Sequence, residues 1–240
     1  MAKSKVIEIL CVILLLCGVF LLLFPAIRSA IDRESEKQAI VFFEETITDI
    51  SPTSSESGNT TPDTLLPFSA LYEAALAYNR NLTETHQKDL SSARLTIPHL
   101  DLKSYGFEAE CFGILEIPSI GYEVPVYLGS SDSNLEKGAA LLGGTSLPIS
   151  GTNTHAVIAG HNTWRGAKRF DLLRELSPGD TVLFRNPWET LTYRIVSKDI
   201  ILPDESDAIR IQPNRELLSL LTCTHPNTHR VLIVCEREFL

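Results

Sequence analysis

No basic stripe runs through this sequence. Its 21 Lys and Arg are outnumbered by 30 Asp and Glu, for a formal net charge of -9, whereas a chain that neutralises phosphates needs clustered positive charge. Nucleic-acid binding is excluded on that ground. No glycine-rich phosphate loop follows a strand-like segment, and no segment repeats, so neither a phosphate-cradling loop nor a repeat architecture is indicated. Cysteine is scarce, with five residues, at positions 11, 17, 111, 223 and 235. Two of them fall in an apolar run, where they act as small apolar side chains. The remaining three are an odd number, so at least one thiol stays free or pairs between chains. That pattern argues against a disulfide scaffold and fits a thiol kept for chemistry.

What is present begins with that apolar run. Ile9 to Ile27 carries no charge over about 19 residues, enough to cross a hydrocarbon core of roughly 30 Å. Lys3 and Lys5 precede it, which places the short N-terminus inside and the remainder outside. A cleaved signal peptide would have a shorter apolar stretch of about 7–15 residues and a small-residue cleavage site. Residues 1–28 therefore read as a cytoplasmic stub and a transmembrane signal-anchor of a single-pass cell-membrane protein. The rest of the composition, 44% hydrophobic and 21% charged, is that of a globular domain with a core.

Residues 29–68 read as a stalk helix, with Ile40, Phe43 and Ile47 at helical spacing, followed by a Ser/Thr/Pro-rich linker. Residues 69–108 read as a pre-barrel segment. Ser69 is expected to cap a helix with Leu71, Ala75, Tyr78 and Leu82 on one face, and an irregular wrap from His86 to Tyr105 follows. From residue 109 to 240 the texture changes to short apolar strands separated by Gly and Pro. Helices are expected only near Ser133 to Leu141 and over Arg169 to Leu176. Seven or more short strands with few helices predict a mainly β fold closed into a barrel, since closure removes exposed edges.

Three residues in that barrel sit where strands open into loops. Cys223 ends the apolar run Leu217 to Thr222. His161 follows the strand Thr154 to Gly160, and Arg230 opens the strand Val231 to Glu236 after a turn-like connection. A thiol needs a proton-transfer partner and rigid placement, and a fixed cation beside it favours the thiolate and stabilises an oxyanion. Each alone has a bland explanation: a buried structural cysteine, a surface-loop histidine, an exposed strand-end arginine. Three such strand ends together favour a nucleophile, an acid/base and an electrostatic stabiliser.

Leu221-Thr222-Cys223 with Arg230 downstream resembles the signature of the sortases, cysteine transpeptidases of the cell surface. Leu220 stands where the family usually has a threonine. Thr154-His155-Ala156-Val157-Ile158-Ala159-Gly160-His161 is similar to the family's histidine strand. Gly144-Thr145-Ser146-Leu147-Pro148 and Leu176-Ser177-Pro178-Gly179-Asp180 add weaker likeness. The resemblance covers roughly Phe112 to Glu236. It implies an eight-stranded sortase barrel outside a Gram-positive membrane, with no metal and no cofactor. The implied reaction cleaves an LPxTG-like sorting signal between Thr and Gly. Cys223 attacks, His161 protonates the departing amine, and Arg230 holds the substrate and the oxyanion. An amine acceptor, a pilin Lys or a peptidoglycan cross-bridge, then resolves the thioacyl enzyme. The loop Pro203 to Arg215 is implied to line the groove, with Ile209, Ile211 and Thr222 as substrate contacts. The likeness is greatest to the pilin-polymerising class C, in which the pre-barrel segment forms a lid with an Asp-Pro-aromatic motif. No Asp-Pro dipeptide occurs before the barrel here, and the acceptor stays open.

Other readings stay open beside this one. Cys223, His225 and His229 have a spacing zinc could use, although a fourth ligand is not evident. A papain-like hydrolase would place its Cys before its His, the reverse of this order. A non-catalytic membrane-anchored interaction barrel is the alternative from a different class. Cys235 alternates with Val231 and Ile233 and reads as buried; a Cys111–Cys235 disulfide stays open.

Overall fold

The computed structural model describes residues 2–48, 66–88, 90, 100–164, 167–168, 170–224 and 226–239. The expected Ser/Thr/Pro-rich linker lies almost wholly outside them. Helix α1 spans Ala2–Thr48 without interruption, so the apolar run and the expected stalk are one helix. It contains a window of mean hydropathy 3.0, long and apolar enough to cross a membrane. Helix α2 follows at Ser69–Glu84, with Leu71, Ala75 and Leu82 buried as their spacing predicts; Ser69 is its first residue and not its cap, since the left-handed Phe68 holds that position and no side chain caps the helix.

Eight strands close the barrel. Strands β1 (Gly113–Ile117) and β2 (Tyr122–Leu128) form a hairpin through a 3-10 turn at Pro118–Ile120. The short helix α3, Asp132–Lys137, leads to β3, Ala139–Leu141. The sequence predicts helix through Leu141; instead Gly138, with extended backbone at φ 180°, ends it and the chain continues as a strand, and a Cβ there would lie 2.5 Å from the Pro125 carbonyl. Strand β4 (Thr154–Ala159) is followed by a two-stranded hairpin, β5 (Thr163–Trp164) with β6 (Ala167–Lys168). The expected helix near Arg169 to Leu176 is a 3-10 segment, Phe170–Glu175. Strands β7 (Thr181–Arg185), β8 (Thr190–Ile201), β9 (Glu216–Cys223) and β10 (Arg230–Arg237) complete the set. Around the barrel the order is β1-β2-β3-β4-β9-β10-β8-β7. β2 pairs with β3 and β4 with β9 in parallel, and the remaining barrel pairs are antiparallel.

Alternation divides each strand between two layers. Ile114, Ala156, Ile158, Leu218, Leu220, Val231 and Ile233 belong to the main core. Val157 and Leu232 point the other way, into a smaller outer cluster with Leu90, Leu142 and Ile209. That outer face of β4, β9 and β10 is roofed by the long β8–β9 connection, residues 202–215, and by the segment after α2. Cys111 and Cys235 are both buried and unbonded, so no disulfide joins them.

The preceding elements are fastened to the barrel. Asn79 of α2 exchanges two hydrogen bonds with Leu147, donating to its carbonyl at 3.0 Å and accepting from its N–H at 2.8 Å. Phe43 of α1 is fully buried and meets Phe107, which meets Phe68, at centroid distances of 5.9 and 5.0 Å. Helix α1 is thus docked on the barrel through its second half and does not merely rise from a membrane.

Candidate active site

Strand pairing brings the three predicted residues into one row. β4 and β9 pair in register from Thr154↔Glu216 to Ala159↔Leu221. The Gly160 N–H donates to the Leu221 carbonyl at 3.1 Å, and the Thr222 hydroxyl donates to the Gly160 carbonyl at 2.8 Å. One more step sets His161 beside Cys223. On the other side Cys223 pairs directly with Arg230. His161, Cys223 and Arg230 share the parity of Val157, Leu221 and Leu232, so all three stand on the outer face, and each is half-buried. Neighbouring strands lie about 4.8 Å apart, within reach for side chains of this length.

The row is braced from both ends. The turn between β9 and β10 closes on itself: Thr224 N–H donates to the His229 carbonyl at 3.0 Å, and His229 N–H donates to the Thr224 hydroxyl at 3.1 Å. The Arg230 guanidinium donates to the His229 carbonyl at 3.1 Å. Beyond His161, Phe170 N–H returns to the His161 carbonyl at 3.1 Å. Gly160 permits this, since a Cβ there would stand 2.8 Å from the Phe170 ring.

The remaining thiols are ill-suited to nucleophilic work. Burial pushes the Cys111 thiol up to about 12, and it pushes the Cys235 thiol higher still, so neither supplies thiolate near neutral pH. Cys223 is the half-exposed cysteine of the barrel. Among the described residues no group of three His, Cys, Asp or Glu side chains comes together to hold a metal, and His225 lies outside them.

The groove leading to the row is already filled. Leu90, 3% exposed, packs with Leu142, Val157, Ile209 and Leu232. Gln87 fixes this segment by donating to the Gly144 carbonyl at 3.1 Å and accepting from the Ile211 N–H at 2.7 Å. Entry into the groove bends the chain through two left-handed residues, His86 at φ 51° and Gln87 at φ 49°, a conformation costing a non-glycine residue roughly 1–2 kcal/mol. Ile209 and Ile211, expected to touch substrate, are engaged here with this segment. The Thr222 side chain is buried and its hydroxyl is committed to Gly160.

His155 is a residue whose strand the sequence reveals but whose partners it does not. Fully buried on the outer face of β4, its Nδ1 lies 2.9 Å from the Arg210 carbonyl and its Nε2 2.7 Å from Ser219 Oγ. A carbonyl only accepts, so Nδ1 carries the proton and Ser219 donates to Nε2. Burial holds this imidazole down at about 4, with the Arg210 carbonyl opposing and Arg215 adding to the shift. The neutral ring thereby ties β4 and β9 to the loop that roofs the groove.

A model of the sortase domain matches residues 115–238, the stretch that contains every strand of the barrel but part of β1, together with the whole row. The chain belongs to the sortase family. Among its sortase relatives, sortase D of Bacillus subtilis (strain 168) is 33% identical over 111 residues, which is 46% of this chain and 53% of that protein. Sortase A of Streptococcus agalactiae serotype III is 25% identical over 130 residues, 52% of each chain. These matches span about half the length of the curated relatives. Solved sortases align further. Sortase C1 of GBS Pilus Island 1 superposes with a TM-score of 0.69 at 27% identity, covering 85% of this chain and 93% of that one. The pilus-related sortase C of Group B Streptococcus gives 0.66 at 31% identity, covering 82% and 95%. Sortase C from Clostridium perfringens SM101 gives 0.60 at 29% identity, covering 82% and 99%.

Proposed function

We propose that this sortase is a membrane-anchored cysteine transpeptidase of the class C type, acting on LPxTG-like sorting signals outside the cell. The observation that carries the reading is the row of His161, Cys223 and Arg230 at the open ends of three adjacent strands. In the proposed reaction the Cys223 thiolate adds to the carbonyl of the Thr residue before the scissile bond. Arg230 stabilises the oxyanion so formed, a contribution that grows as charge develops. Collapse of that intermediate breaks the Thr–Gly bond while His161 donates a proton to the leaving amine. An incoming amine then attacks the thioester, gives its proton to His161, and releases Cys223. The pilus-related relatives favour a pilin lysine as acceptor over a peptidoglycan cross-bridge. The bare apolar surface of α1 supports a membrane span, because side chains such as Leu14 and Leu22, 64% and 81% exposed, have no protein partner layer to bury them.

The test is cleavage of LPxTG-type peptides with added amines, read by mass spectrometry. Cys223→Ala should abolish product. His161→Ala should lower kcat/KM by about 10²–10⁴-fold and Arg230→Ala by about 10²–10³-fold. Product persisting in Cys223→Ala would remove the assigned nucleophile. Wild-type silence, continuing after Leu90 is released from the groove, would favour the non-catalytic interaction barrel.

A further inference from the structure

The barrel has two rims, and strand direction assigns every strand end to one of them. β4 ends at Ala159 and β9 ends at Cys223 on the rim where β10 begins at Arg230 and β2 begins at Tyr122. This is the catalytic rim. Helix α1 crosses the barrel wall with a definite polarity. Its Glu44 pairs with Arg185, whose guanidinium reaches along the wall from the end of β7 to Glu123 of β2, while its Phe43 meets Phe107, which precedes β1 on the opposite rim. The Ala39 carbonyl meets the Cys111 thiol at 3.9 Å, just before β1. Asp32, Glu36 and Ile40 face Gly121, Tyr122 and Leu172 across a cleft of about 410 Å³, and Gly121 and Tyr122 belong to the catalytic rim. Read backwards from Phe43 and Ala39, the helix therefore passes from the opposite rim to the catalytic rim and leaves the barrel there. No Gly or Pro interrupts it between Ala26 and Thr48, so a sharp bend is expected no nearer the barrel than Pro25. The apolar run 9–27 extends beyond the rim that carries Cys223.

A second feature lies on the same rim. β8 outruns its neighbour β7, whose pairing ends at Thr181↔Arg194, and continues to Ile201 opposite Arg230. Ile200 on this overhang and Leu202 just past its end are 71% and 52% exposed. Phe239 stands exposed near the opposite rim, which is unexceptional for a single side chain; a near-adjacent pair on the rim toward which the apolar helix points is not so easily set aside. The exposed Asp199, Asp204 and Glu205 flank this pair, so its partner is not an anionic surface held by charge.

We propose that α1 is a strut that turns the catalytic rim toward the bilayer, with Ile200 and Leu202 resting in the outer interface. The partner is the lipid surface into which the chain's own helix is inserted, held by apolar insertion of the kind seen at interfacial contacts. The enzyme then works on chain segments presented within a short distance of the membrane. The proposal rests on residues 9–27 spanning the bilayer and is independent of the transpeptidase chemistry.

The experiment uses the full chain in phosphatidylcholine vesicles with Cys11→Ser, Cys17→Ser and Cys223→Ala to clear accessible thiols. Nitroxides are placed singly through Ile200→Cys, Leu202→Cys and, on the opposite rim, Thr190→Cys. The ratio of oxygen to nickel-chelate collision rates should be severalfold higher at 200 and 202 than at 190. Equal ratios would overturn the proposal. A Gly-Ser insertion of six residues between Arg28 and Ser29 should bring the ratios at 200 and 202 down to that at 190. Undiminished ratios after insertion would overturn the strut. Protection that vanishes as protein is diluted in lipid, with loss of spin–spin broadening, would assign the patch to a second copy and also overturn the proposal. None of these readouts needs catalysis, so a failed peptide assay and a failed orientation are told apart.

Discussion

His155 shows how much a single side chain can govern without touching substrate. Its ring links Arg210 in the roof to Ser219 in the floor. The folded protein holds it at about 4, against an ordinary value near 6.5. Between those values the unfolded chain binds a proton that the folded chain refuses. The folded form is therefore penalised as pH falls from about 6.5 to about 4, by about 3 kcal/mol in all. Above pH 6.5 the group contributes no pH dependence. Urea midpoints measured between pH 7.5 and 4.5 should fall, and His155→Gln should flatten that slope while lowering stability at pH 7.5. In the same variant the amide cannot reach Arg210 and Ser219 together as the two ring nitrogens do, and the roof it loosens carries Ile209. KM should rise about 5–30-fold, the equivalent of one buried hydrogen bond worth about 1–2 kcal/mol, with kcat little changed. An equal loss in kcat would mean that His155 acts on the row itself. The sequence placed His155 on a strand and no further, because its partners are 55 and 64 residues away. Cys223 and Arg230 were legible for the opposite reason: two apolar strands joined by a short polar turn set their ends side by side. His161 was legible because apolar residues stop at Gly160.

Elements were harder to read where their role depends on what they cover. Helix α2 was evident from spacing, but the six residues after it have no periodicity, and nothing local announces that Leu90 enters a groove. Only the tertiary fold brings Val157, Ile209 and Leu232 together beneath it. The seat is held by the two Gln87 hydrogen bonds and weakened by the strain at His86 and Gln87, so opening is local and does not require the barrel to unfold. Gln87→Ala should raise kcat/KM on a short peptide about tenfold by populating the open groove, with a barrel melting midpoint close to wild type. A fall in kcat/KM would show that the segment helps to form the groove. Gly160 marks the opposite case, an element end that must not move. Ala there would drive a methyl into Phe170, an overpacking cost of about 1–3 kcal/mol. That should lower Tm by about 2–12 °C and reduce turnover, because Phe170 returns to the His161 carbonyl.

At the scale of the molecule, the barrel was legible from its many short strands, whereas the attachment of α1 to it was not. Ile40, Phe43 and Ile47 read as one helix face, yet a face does not name its partner. The structure supplies it in an aromatic chain from Phe43 through Phe107 to Phe68, continuous with the main core that holds Phe112 and Ile114. If α1 is part of that core, removing the Phe43 ring should be felt by the whole barrel. A buried Phe→Ala change costs about 3–5 kcal/mol, and a chain of this size loses about 2–4 °C for each of them. Phe43→Ala in the detergent-solubilised full chain should therefore lower the melting midpoint of the β signal by at least about 6 °C. A helix lying loosely on the surface would release locally, raising hydrogen exchange in residues 36–48 and leaving the midpoint unchanged. The distinction bears on function. A helix that melts with the barrel transmits its direction to the rim that carries Cys223, and one that undocks alone leaves that rim free to tumble on its tether.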